Sequence, residues 1–215
     1  MASHIKIALV DDHLLFRQAL STLLETSTDL KIVFEASNAQ ELFQHLKKKQ
    51  PHVILLSAEL KGLSASSTIT ELKKDHPEVK VLVTSMNHDD MAIFSLVKQG
   101  ASGFITKDKK LDEAVEAIRS VKLKGFYYTD EVTQAMLNGV RAKQKQRTSL
   151  SSSDLTERET EIIRLICRQY SMKDVAARLK LSPRTVESHK ENILMKTGSK
   201  NLVGIVLYAV EHQLL

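Results

Sequence analysis

The polar residues that could do chemistry fall at one kind of place in the first half of the chain. Asp11 and Asp12 follow a strand-like run at 5–10, and Ser57 follows one at 53–56. Thr84 and Ser85 stand at the end of a run at 79–84, and Lys107 follows one at 103–106. If these runs are parallel strands of one doubly wound sheet, their carboxyl ends form the ligand crevice. With strand order 2-1-3-4-5, strand 3 lies between strands 1 and 4, so two carboxylates, hydroxyls and an ammonium converge. Hard oxygen donors suit magnesium, and a hydroxyl with a lysine suits a phosphoryl group. Adjacent strand residues point to opposite sides, which argues against Asp11 and Asp12 as a hydrolytic dyad. No catalytic residue is assigned: Ser57 is neutral, and no base is expected within its reach. Glu59 lies two positions on, but the strand is expected to stop at Ser57, so Glu59 is not expected to fill a pocket place. His13 reads as a surface histidine.

A second group lies at 155–197, LTERETEIIRLICRQYSMKDVAARLKLSPRTVESHKENILMKT. Thr156 with Glu159 forms a capping-box pattern, and Ser182 before Pro183 marks another helix start. Val175, Ala176 and Leu179 recur at helical spacing between them. A short helix, a tight turn and a second capped helix is how a helix-turn-helix presents side chains to DNA. Ser182, Arg184, Thr185, Glu187, Ser188, Lys190 and Lys196 are the expected DNA-facing residues.

The elements that must position these groups can be read from periodicity. Strand-like runs at 5–10, 31–35, 53–56, 79–84 and 103–106 alternate with helical stretches at 14–25, 39–48, 64–74, 89–99 and 111–121. The expected fold is α/β, a doubly wound five-stranded parallel sheet, followed by a small all-α helix-turn-helix domain. The expected boundaries are 1–125 for the first domain, 126–150 for a helix and flexible linker, and 151–215 for the second. Two domains suit 215 residues. Residues 141–215 hold 14 Lys and Arg against 8 Asp and Glu, whereas 1–140 hold 17 against 18. The positive charge thus sits with the helix-turn-helix, as phosphate neutralisation requires. One cysteine, Cys167, excludes a disulfide framework or cysteine metal cluster. No apolar run approaches a membrane span and no signal-peptide cleavage region is seen, so a cytoplasmic protein without membrane association is expected.

The residues Leu155, Thr156, Arg158, Glu159, Ala176, Leu179, Ser182, Thr185, Val186 and His189 resemble the LuxR-type helix-turn-helix. The stretch DDHxxxR (Asp11, Asp12, His13, Arg17) and GASGFITK resemble the receiver domain of two-component response regulators. Together they make the chain similar to NarL/FixJ-type response regulators over nearly all its length. The resemblance implies magnesium at Asp11 and Asp12, phosphoryl contact by Lys107, and Thr84 and Phe104 as the hydroxyl and aromatic that move on activation. It implies a sensor histidine kinase as partner, double-stranded DNA as target, and a homodimer. The dimer would form through the last helix, 201–212, where Leu202, Val206 and Val210 lie on an apolar stripe.

One departure matters most. The family reads VLLD where this chain reads VILLS, so Ser57 stands at the phosphoacceptor position. Leu60 and Lys61 also replace a usual methionine and proline. Magnesium binding should be weakened by the lost carboxylate. Three readings follow: a receiver that works without aspartyl phosphorylation, a phosphoacceptor-substituted variant of a normally phosphorylated regulator, or a phosphoserine site. The drift at Lys61 favours the first. The expected function is a sequence-specific transcription regulator whose receiver controls dimerisation; the alternative is a receiver acting mainly as a protein-interaction module.

Overall fold

The structure, a computed structural model, describes residues 4–87, 89–144, 155–212 and 214–215. Five parallel strands, β1 (Ile5–Val10), β2 (Leu30–Ala36), β3 (Val53–Ser57), β4 (Lys80–Ser85) and β5 (Gly103–Thr106), form one sheet in the order β2-β1-β3-β4-β5. They alternate with α1 (Leu14–Leu24), α2 (Ala39–Leu46), α3 (Ala65–Asp75), α4 (Asp90–Lys98) and α5 (Leu111–Lys124). Five helices follow or complete the C-terminal part: α6 (Asp130–Gln144), α7 (Glu157–Cys167), α8 (Met172–Leu179), α9 (Pro183–Thr197) and α10 (Leu202–Glu211) carry it to the end. The linker expected at 126–150 is helical through α6; its serine-rich remainder lies outside the described residues.

The β3 sequence explains the architecture. All five of its residues are buried, as a central strand covered on both faces must be. Ile7, Leu9, Leu55, Leu82 and Ile105 face α1 and α5 and join Leu24, Val115, Ile118 and Val121 in one apolar cluster. Ala8, Val10, Ile54, Leu56, Val81 and Val83 alternate with them and are buried too. Gly125 ends α5 with φ +90°, a left-handed cap that glycine adopts without a Cβ penalty.

The chain divides into two compact units, and not where the sequence suggested. One comprises Met1–His88 and Ala101–Tyr127; the other comprises Asp89–Gly100 and Tyr128–Leu215. Helix α4, expected to belong with the sheet domain alone, therefore groups with the C-terminal helices. Inside that second unit α4 packs closely on α6: a Cβ at Gly139 would lie 2.2 Å from Phe94, so only glycine fits there. Among the described residues no single helix is long and apolar enough to cross a membrane.

Candidate functional site

The receiver-like pocket forms at the carboxyl ends of β1, β3, β4 and β5, as strand order requires. Lys107 is its centre. Its side chain is 3% exposed, and its ammonium donates to Asp11 Oδ2 at 2.7 Å and to Ser57 Oγ at 3.0 Å. It also lies 3.3 Å from Glu59 Oε2 and over the Phe16 ring. Asp11 is buried, accepts from the His13 backbone N–H at 2.8 Å, and its backbone carbonyl accepts from Arg17. Arg17 is held in turn by Glu35 at 3.2 Å. The DDHxxxR residues thus brace one another, Arg17 reaching back from the first turns of α1 to the β1 end.

Glu59 corrects the sequence reading. The strand does end at Ser57, but residues 58 and 59 turn at once and bring the carboxylate back over the pocket. Ser57 Oγ donates to Glu59 Oε2 at 3.1 Å, so a carboxylate base lies within reach of the serine after all. Ser85 Oγ and the Met86 backbone N–H, the latter at 2.8 Å, both donate to Oε1. Burial raises the pKa of this carboxyl, but the bonds from Ser85 and Met86 and the Lys107 charge outweigh it and hold the group below its ordinary value. A carboxylate so stabilised is a weak base, and Ser57 is wholly buried, so the proximity does not make Ser57 a competent nucleophile.

Thr84 stands beside Ser57, its register partner on β3. Its hydroxyl makes no hydrogen bond among the described residues. It lines a cavity of about 260 Å³ with Phe16, Leu55, Ile105 and Lys107, on the side of α1 and α5. Yet it is the hydroxyl of the next residue, Ser85, that bonds Glu59. Phe104, paired in register with Val83, is buried.

Asp11, Asp12 and His13 bring ligand atoms within 4.8 Å of one another. Asp12 Oδ1 is buried without a hydrogen-bond partner; the His13 Nδ1 ring nitrogen lies 3.4 Å away, too loose for a good bond. The other Asp12 oxygen lies 3.6 Å from the exposed Lys61 ammonium. Two carboxylates with one orphaned, buried oxygen fit a hard cation, while Lys61 already offsets part of their charge.

The helix-turn-helix is built as its caps dictate. Thr156 and Glu159 form a full capping box on α7, and Ser171 and Asp174 another on α8. Lys180, at φ +53°, makes the left-handed turn into α9, and Ser182 caps α9 by accepting from the Thr185 N–H at 3.0 Å. Val175, Ala176, Val186 and Ile193 are buried between the helices. Arg184, Thr185, Glu187, Ser188 and Glu191 are exposed on α9, and Lys190 pairs with Glu187. Lys196, expected to face DNA, instead donates to Glu159 Oε2 at 2.8 Å. Glu159 is 3% exposed; burial raises its pKa, and the Lys196 and Thr156 bonds lower it further than that. Arg158 donates to the Leu179 carbonyl at 2.7 Å, closing the end of α8. The motif's charged residues on α7 therefore hold the helices together.

The apolar stripe of α10 is also placed differently. Leu202 and Val206 are buried within the single chain, and Val210 is half-buried. The helix packs among α4, α6, α7 and α9. Asn201 Nδ2 donates to the Gly100 carbonyl at 2.8 Å, and Lys98 pairs with Glu211 at 3.2 Å. Two of the three stripe residues are thus covered within the single chain, and Val210 is the one left partly open.

Comparison with known proteins agrees with this architecture. Residues 7–119 match the response regulator receiver domain, and residues 153–209 match the bacterial regulatory proteins of the luxR family. The chain is 33% identical to the oxygen regulatory protein NreC of Staphylococcus epidermidis over 98% of its own length and 99% of that protein's. It is also 33% identical to NreC of Staphylococcus aureus, with the same coverage. The fold is similar to the Salmonella typhimurium RcsB response regulator, with TM-score 0.57, 20% identity and 96% and 98% of the two chains covered. It is similar as well to the response regulator ChrA of a heme-sensing two-component system, with TM-score 0.52 and 23% identity over all of both chains. With a receiver fold carrying a strand-end pocket and a capped helix-turn-helix, the chain belongs to the response regulators with a luxR-family DNA-binding domain.

Proposed function

We propose that this chain is a sequence-specific transcription regulator whose α9 enters the DNA major groove and whose receiver acts without aspartyl phosphorylation. The observation that carries the second half is the pocket itself. Ser57 is buried and engaged with Lys107 and Glu59, so no carboxylate stands at the end of β3, where the mixed anhydride would form. For the first half, α9 presents Arg184, Thr185 and Ser188 at its exposed N-terminal end, where recognition helices meet base edges. A protein of this kind works in the cytoplasm. RcsB has been solved as dimers bound to DNA. A homodimer reading paired half-sites is the corresponding proposal here, and dimerisation through α10 would require that helix to leave α4 and α6. Magnesium would be held by Asp11 and Asp12 and would supply positive charge to the pocket; Lys61 and the neutral Ser57 make the binding weak.

A second reading keeps the receiver as a protein-interaction module, with a sensor histidine kinase or another regulator as partner. Leu14 and Leu15, 56% and 82% exposed at the start of α1, favour it. Two measurements test the main reading. Genome-wide binding by the purified chain should give a defined, salt-sensitive set of sites; absence of any salt-dependent duplex affinity overturns DNA recognition. Intact mass after acetyl phosphate and magnesium should be unchanged; a hydroxylamine-labile phosphate overturns the phosphorylation-independent receiver.

A further inference from the structure

We infer that the Glu59 carboxylate is the resident anion of the receiver pocket, seated in a cradle formed by the Lys107 ammonium, the Ser85 hydroxyl and the Met86 backbone N–H. This deepens the reading of a phosphorylation-independent receiver and rests on it. The three donors come from the ends of β4 and β5 and converge on one side chain. Lys107 lies 3.3 Å from Oε2, and Ser85 and Met86 both donate to Oε1. A fixed cation, a hydroxyl and a backbone N–H aimed at one point are a donor set for a carboxylate or a tetrahedral oxyanion alike. If Glu59 turned outward, the Lys107 ammonium, whose side chain is buried, would keep only Asp11 as an anionic partner.

The neighbouring residues make an external occupant unnecessary. Ser57, facing Lys107 and Glu59, is neutral and cannot hold a phosphoryl group as an acyl phosphate. Glu59 returns to the pocket the negative charge that a strand-end carboxylate would have given it. It delivers that charge from the turn instead of the strand, which lets the carboxylate reach beyond Ser57 to the β4 end. Ser85 also accepts from the Asn87 N–H at 3.1 Å, so the tether to Glu59 fixes the start of the segment that leads into α4. A covalently delivered phosphoryl group would make such a tie for a limited time. Glu59 makes it permanently.

The test is chemical rescue on the full chain, with inorganic phosphate as the probe and chloride at matched ionic strength as the control. Glu59→Ala empties the cradle. Phosphate should then raise its melting temperature saturably, and move the backbone amide resonances of Ser85 and Met86, with roughly tenfold or greater gain in apparent affinity over the parent chain. Adding Lys107→Ala should abolish the gain. Where Glu59→Ala does not fold, Glu59→Gln keeps the acceptor for Ser85 and Met86 but loses the charge, and phosphate should displace it more readily than it displaces glutamate. A folded variant with the parent's phosphate response, or with no response localised at Ser85 and Met86, overturns the inference. DNA binding is measured separately. Rescue in a chain that never binds DNA sinks the functional proposal alone, and DNA binding without rescue sinks the resident anion alone.

Discussion

Ser57→Asp restores a carboxylate at the strand end, and the structure sets what that costs. The new charge would sit about where Ser57 Oγ is, 3.1 Å from Glu59 Oε2 and 3.0 Å from Lys107 Nζ. At an effective dielectric constant of about 20, each pair is worth about 5 kcal/mol with opposite sign, so the two Coulomb terms nearly cancel. What remains is the desolvation of a group at a position that is 0% exposed, in a pocket whose lysine is already shared with Asp11 at 2.7 Å. That cost is several kcal/mol in full, reduced when Glu59 swings out to water, for a net loss of about 3 kcal/mol. In a chain of this size it corresponds to a fall in Tm of roughly 6–12 °C. Scanning calorimetry in chelator should show this fall, and magnesium should recover part of it, because the variant offers one more hard ligand. Combining Ser57→Asp with Glu59→Gln removes the repulsive partner and should make the double variant more stable than the sum of the single effects by about 1 kcal/mol or more. A Ser57→Asp chain as stable as its parent without magnesium, or strictly additive effects in the cycle, would refute the placement of Glu59 against Ser57.

Further outcomes follow from other contacts. Lys196→Met leaves Glu159, 3% exposed, without its cation and should cost about 1–3 kcal/mol in urea unfolding while leaving the salt slope of DNA binding unchanged. Arg184→Ala should do the reverse: little change in stability, weaker DNA binding in fluorescence anisotropy, and a salt slope flatter by about one unit if it contacts a phosphate. Val206→Glu buries a charge inside the single chain, so helical circular dichroism should be lost at lower temperature; intact helicity with a shift only in sedimentation would return α10 to a dimer face. The Glu59 carboxyl is held below its ordinary value of 4.5, so the stability it contributes is fully present above that pH and is lost as pH falls through the lower folded value. The difference between the parent and Glu59→Gln in acid unfolding should therefore be constant above 4.5 and shrink below it.

The five strands, their alternation with helices and the caps of the helix-turn-helix are legible in the amino-acid order alone. These signals are local: β3 reads as an unbroken apolar run because both its faces are covered, and Thr156, Ser171 and Ser182 cap helices through residues three positions away. The position of the pocket followed as well, because strand ends in a doubly wound sheet must meet. Which side chains fill the pocket was decided only in three dimensions. A turn at residues 58 and 59 reverses the chain and returns Glu59 to a site that strand geometry alone would deny it. Thr84 stands beside Ser57 on β3 and shares a cavity with Lys107, yet it is the Ser85 hydroxyl that bonds Glu59, a choice that sequence adjacency cannot make. The Lys196–Glu159 pair is likewise tertiary, joining residues 37 positions apart on α9 and α7. The stripe on α10 shows that something must cover Leu202 and Val206, because apolar surface leaves water; that α4 and α6 belong to the covering unit is information only the packed chain contains.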